Sequence, residues 1–151
     1  MFKPVKTPCV GICSTGIGDS VCRGCKRFTH EVINWNAYSH EQRRAIAQRL
    51  EQFLTQVVSN KLQVFDEALL REQVELQRVR YNPDLNAYCW VNDLLRAGAS
   101  QMGDPAQYGL RRQREWASAS LVDIKTAIDQ DYYILSCAHY ERYIAPGELL
   151  I

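Results

Sequence analysis

Four cysteines crowd the start of the chain: Cys9, Cys13, Cys22 and Cys25, spaced C-x3-C, eight residues, C-x2-C. Residues 1 to 38 also hold Pro4, Pro8, Gly11, Gly16, Gly18 and Gly24. Turn formers at that density argue against a long helix or a regular sheet. Something other than backbone periodicity must order this segment, and two short cysteine pairs can do so by wrapping one centre.

Two thiolates on a tight turn present both sulfurs to one point, and Gly11 and Gly24, one inside each pair, let backbone amides turn toward those sulfurs. Four thiolates satisfy a tetrahedral zinc ion or, equally, an iron-sulfur cluster. Two disulfides are the bland alternative. The opening Met1-Phe-Lys-Pro-Val-Lys-Thr-Pro lacks the apolar stretch of a signal peptide, and no run approaches the roughly 18 apolar residues of a membrane span. The expected location is therefore cytoplasmic, where thiols stay reduced and metal ligation outweighs disulfides.

One four-cysteine centre is thus the expected cofactor site, with Cys9, Cys13, Cys22 and Cys25 as ligands. Ligand type favours zinc, and Cys22-Arg-Gly-Cys25 followed by Lys26-Arg27 looks like a zinc knuckle. The C-x3-C pair with the apolar Val10, Ile12, Ile17 and Val21 would instead suit a shielded cluster. Either centre carries a net charge of about -2, which Lys6, Arg23, Lys26 and Arg27 are placed to offset.

Pro8-Cys9-Val-Gly-Ile-Cys13-Ser14, Val21-Cys22-Arg-Gly-Cys25-Lys-Arg27, Trp35 and the run Ser39 to Leu50 together resemble the YdhL-like bacterial proteins, which carry the name predicted iron-sulfur proteins. The resemblance covers about residues 7 to 54. It implies the same four ligands in a cytosolic bacterial protein and no particular reaction.

After residue 38 the pattern becomes helical. Ser39 with Gln42 three residues on forms a capping box, and Ile46, Leu50, Phe53, Leu54 and Val57 follow at helical spacing, predicting a helix from about His40 to Val58. Asp66 caps a second helix through Leu69, Leu70, Gln73, Val74 and Val79, stopping before Asn82-Pro83. Asp84 caps a third, Leu85 to Ala97, ended by Gly98. Residues 99 to 114 read as a loop with one short turn. Ser120 with Asp123 opens a last helix through Ile124, Ile128, Ile134, Leu135 and Tyr143, closed by Pro146-Gly147. The predicted architecture is mainly α: a small irregular four-cysteine metal-binding module with its supporting helix (residues 1–58), followed by an all-helical bundle (59–151).

Charge follows the same division. Residues 1–60 carry eight Lys/Arg against four Asp/Glu, and 61–151 carry ten against thirteen, so +4 and -3 make the overall +1. Lys26, Arg27, Trp35, Arg43 and Arg44 are the candidate partner-binding residues, with Arg49 added if the partner is a nucleic acid. His30, His40 and His139 lack metal-helix spacing and read as surface or core residues. Cys89 and Cys137 read as buried thiols, and Tyr132, Tyr133, Tyr140 and Tyr143 as packing residues of the last helix.

No phosphate loop, dinucleotide fingerprint or nucleophile elbow occurs, so a non-enzymatic role is expected. The centre is read as structuring an interaction module for a protein partner. Electron transfer or cluster handling is the alternative, nucleic-acid binding the second alternative, and no membrane partner is expected.

Overall fold

The computed structural model describes residues 4–148 and is mainly α-helical, with one small two-stranded antiparallel ribbon. Its elements are α1 (Thr29–Asn34), α2 (His40–Ser59), β1 (Leu62–Val64), α3 (Glu67–Leu76), α4 (Ala87–Gly98), β2 (Leu110–Arg112), α5 (Leu121–Tyr143) and the short α6 (Ala145–Glu148), joined by 3-10 turns. No helix among the described residues is long and apolar enough to cross a membrane.

Contacts divide the chain into two units, and the divisions fall inside α2 and α5. The first comprises the described residues of Met1–Phe53 and Tyr132–Ile151; the second is Leu54–Asp131.

The cysteine segment occupies the beginning of the first unit. A 3-10 turn at Thr15–Ile17 and a single bridge between Val21 and Phe28 are its regular features. The Ser39 box forms as expected: the Gln42 amide donates to Ser39 Oγ at 3.1 Å, and the Ser39 amide to Gln42 Oε1 at 2.8 Å. On α2, Ile46 and Leu50 are buried. The Tyr132 hydroxyl of α5 donates to the Leu50 carbonyl at 3.3 Å, joining the two helices. Phe28, fully buried, lies 5.9 Å from a stacked His139 ring and 5.3 Å from Tyr140. A bidentate ion pair, Arg49 to Glu31 at 2.6 and 2.7 Å, lies below it, with the guanidinium 4.1 Å from the Phe28 ring centre. Glu31 also accepts from the Phe28 amide at 2.9 Å, which starts α1.

The second unit has an apolar core of Val57, Val58, Leu62, Leu70, Val74, Val91, Leu94, Leu95, Leu110, Ile124 and Ile128, nearly all fully buried. Asp66 caps α3 through the Leu69 amide, as its sequence position predicts. Lys61 is also fully buried, held by Asp131 at 2.7 Å, the Val57 carbonyl and Asn60 Oδ1.

Several expectations need correction. The region after residue 58 is not all helical: β1 pairs antiparallel with β2, Leu62 opposite Arg112 and Val64 opposite Leu110. Residues 99–114 correspondingly hold two 3-10 turns rather than one, at Ala99–Gln101 and Pro105–Tyr108, and lead into β2. Gly109 permits this with φ +73, because a Cβ there would fall 2.3 Å from the Asp66 carbonyl oxygen. The third helix is capped by Asn86 rather than Asp84 and begins at Ala87, and α3 stops at Leu76, short of Val79. The last helix forms as α5, with Ile134 exposed because it falls opposite the buried Tyr132 and Ser136, whereas Tyr143, expected to pack, is exposed at the helix end.

Candidate metal centre

The two cysteine turns lie against each other. The Arg23 amide donates to Ser14 Oγ at 2.8 Å, and the Cys22 thiol meets the Ile12 carbonyl at 3.4 Å. Each bond joins a residue of the second turn to one beside Cys13. Gly24 sits at the tightest point: a Cβ there would fall 2.4 Å from the Ile12 carbonyl oxygen and 2.9 Å from Val10 Cγ2. Any other residue at position 24 would push the two turns apart.

Backbone amides are aimed at sulfur in both turns. The Gly11 amide donates to Cys9 Sγ at 3.4 Å. Burial opposes a charge on Cys22, yet the backbone amides of Cys25, Ser14 and Gly24, with the Cys25 side chain, bring its thiol down to about 7. For Cys25 burial wins and pushes the thiol up, although Arg27 pulls the other way.

The side chains themselves do not close a cage. Cys22 and Cys25 are buried, whereas Cys9 and Cys13 are exposed, and Cys13 Sγ shares a hydrogen bond with Thr15 Oγ1 at 3.0 Å. Among the described residues no group of three or more His, Cys, Asp or Glu side chains converges as a metal ligand set. The site therefore has one buried half and one open half. Its donor chemistry fits zinc or an iron-sulfur cluster, because all four thiols lie on two touching turns whose amides already face sulfur.

Several partner-surface candidates are internal instead. Lys26, in a left-handed backbone conformation at φ +67, is buried, and its ammonium donates to the carbonyls of Arg23 and Gly24, the latter at 3.1 Å. Arg27 is 4% exposed, with Nε on Cys25 Sγ at 3.2 Å and its guanidinium 5.0 Å from the Trp35 ring centre. Trp35 is buried too. Long cationic stems cover apolar surface well, so a pair of cations after the last cysteine folds inward once carbonyls and sulfur stand ready to receive the charges. Arg43 is half-buried and donates to the Trp35 and Asn36 carbonyls, so only Arg44 of the named set stands fully exposed. Arg49 is committed to Glu31.

Sequence reading missed Ser14, whose hydroxyl joins the turns, and Glu31, the anion inside this unit. The position of Glu31 three residues after Phe28 was the available signal. Cys89 is buried as expected and Cys137 is half-buried.

The fold and the site together describe a small helical protein bearing a cysteine-turn segment. A family model described as "Protein of unknown function (DUF1289)" matches residues 7–54, the segment holding all four cysteines. Over 53 residues the chain is 38% identical to the uncharacterized protein YdhL of Escherichia coli K12 and, equally, to that of Shigella flexneri. Those matches cover 35% of this chain and 66% of each relative, so the chain spans just under two thirds of the relatives' length. No solved structure matches the chain.

Proposed function

We propose that residues 7 to 38 form a metal-binding module in which Cys9, Cys13, Cys22 and Cys25 hold one zinc ion, and that the metal orders a surface for a protein partner. The observation that carries this reading is the contact between the two cysteine turns at Gly24, where only a glycine fits. Amide groups directed at Cys9 and Cys22 support it, because thiolates bound to metal accept such bonds. Cys22 and Cys25 form the buried half of the centre in this reading, and the exposed Cys9 and Cys13 supply the other two sulfurs.

The metal's contribution is structural: it offsets two of the four thiolate charges and ties together two turns rich in glycine and proline. Exposed Ile12, Ile17 and Arg44 are then available to the partner. The nucleic-acid alternative is weaker, because Arg43 and Arg49 spend their donors within the chain.

The test is zinc, iron and acid-labile sulfide per chain after anaerobic purification, with hydrogen exchange before and after chelation. One zinc, with protection of residues 9 to 38 lost on chelation, is expected. Iron with matching sulfide would replace zinc by a cluster at the same ligands, and metal-free protein with unchanged protection would overturn the reading.

A further inference from the structure

Arg27 poses a problem of charge. It is 4% exposed, and among the described residues no carboxylate pairs with it: the ion pairs of this unit are Arg23 with Asp19 and Arg49 with Glu31. Burying a lone cation is unfavourable unless hydrogen bonds or a countercharge compensate the lost hydration. The Trp35 ring, 5.0 Å away, offsets part of that cost but carries no net countercharge. The one polar group its Nε addresses is Cys25 Sγ, at 3.2 Å. A neutral thiol is a weak acceptor and supplies no countercharge. An anionic metal-thiolate group does supply it, and a charge-assisted bond to that group is about twice as strong as a neutral one.

We infer that Arg27 is the resident counter-cation of the cysteine centre, a positioning residue that clamps an anionic metal-thiolate group through Cys25 Sγ while the Trp35 ring holds its guanidinium in place. This rests on the metal-binding reading above. It gives the buried Arg27 a countercharge, since the buried carboxylate of this unit, Glu31, is paired with Arg49. The second pillar of the arrangement is Arg43, whose guanidinium lies 5.7 Å from the same Trp35 ring and bonds the Trp35 carbonyl at 2.9 Å, fixing the ring from the side of α2. Trp35 thus connects the start of α2 to the counter-cation.

The probe is cobalt(II), titrated into the full-length reduced protein as wild type, Arg27→Met and Arg27→Lys, with helical circular dichroism recorded throughout. Met keeps apolar bulk and loses the charge; Lys keeps the charge and loses the planar stack. Arg27→Met is expected to bind cobalt about 10- to 100-fold more weakly, the range for loss of a partner to a metal ligand. Its sulfur-to-cobalt absorption band should move to longer wavelength, because a sulfur that loses a hydrogen bond gives up electron density more readily. Arg27→Lys should fall between wild type and Met in both respects.

Equal affinity and band position in wild type and Met would overturn the inference, as would a Lys variant no better than Met. Should Arg27→Met lose its helical signal, the Lys band position decides alone, and an unshifted band overturns the inference. A wild type that binds no cobalt overturns the metal-binding reading and this inference with it, whereas cobalt bound identically by all three proteins overturns this inference only.

Discussion

The two units reach order by different means. The second is built from leucine, valine and isoleucine, with Lys61 as its one buried charged side chain among the described residues. The first buries Lys26, Arg27 and Glu31 together with two cysteines, and five of the six buried polar residues, Ser14, Lys26, Arg27, Glu31 and Ser136, lie there. An apolar core tolerates local loss because dispersion and transfer energies are spread over many contacts. A core of charges and thiols depends on each partner being present, since removing one leaves the other buried and uncompensated. The cysteine segment supplies few apolar residues to its unit, chiefly Val21, Phe28 and Trp35, and buries cations and thiols beside them.

The largest effect that would sharpen this contrast is expected from Glu31→Gln, which leaves Arg49 against Phe28 without its carboxylate. Unfolding free energy of the first unit should fall by about 3 to 5 kcal/mol, read as a rise in exchange confined to residues 20 to 50. A loss below about 1 kcal/mol would break the comparison, because the first unit would then behave like an ordinary core.

Next in size is Leu95→Ala, at a fully buried site of the second unit. A loss of about 2 to 4 kcal/mol is expected, with exchange rising in α3 and α4. The paired deletion Glu31→Gln with Leu95→Ala, measured by denaturant titration, should be additive, as for sites without shared partners.

The smallest effect concerns Asp93 on α4. Burial pushes its carboxyl up to about 6, with Arg96 opposing. A raised acid pKa means the folded state holds its proton more tightly than the unfolded state. Stability is then greatest below the ordinary value of 3.8 and declines as pH rises to about 6. The decline is at most about 3 kcal/mol. Asp93→Asn should remove it, and equal pH profiles for both proteins between pH 4 and 6 would show that Asp93 is solvated as an ordinary surface carboxylate.

Local signals were readable in the chain. The Ser39 box, the Asp66 cap and the Ser120 hydroxyl that receives the Asp123 amide all act within three residues, and each formed where the spacing put it. The ribbon was not readable. Strands of three residues are too short for alternation to stand out, and the partner of β1 is β2, separated from it by two helices and two 3-10 turns. The cap of α4 is Asn86, whose side chain accepts from the Tyr88 amide, while the Asp84 amide bonds Asn82 Oδ1 in the preceding turn.

The sequence by itself determined the placement of four thiols on two glycine-bearing turns and the helices that follow, because turn and cap chemistry is decided by neighbours along the chain. Tertiary structure alone decided that Lys26 and Arg27 turn inward, that Lys61 meets Asp131, and that Glu31 meets Arg49. The reason is electrostatic. Whether a charge can leave water depends on the dipoles and countercharges that face it in space, and that arrangement exists only once distant segments have come together.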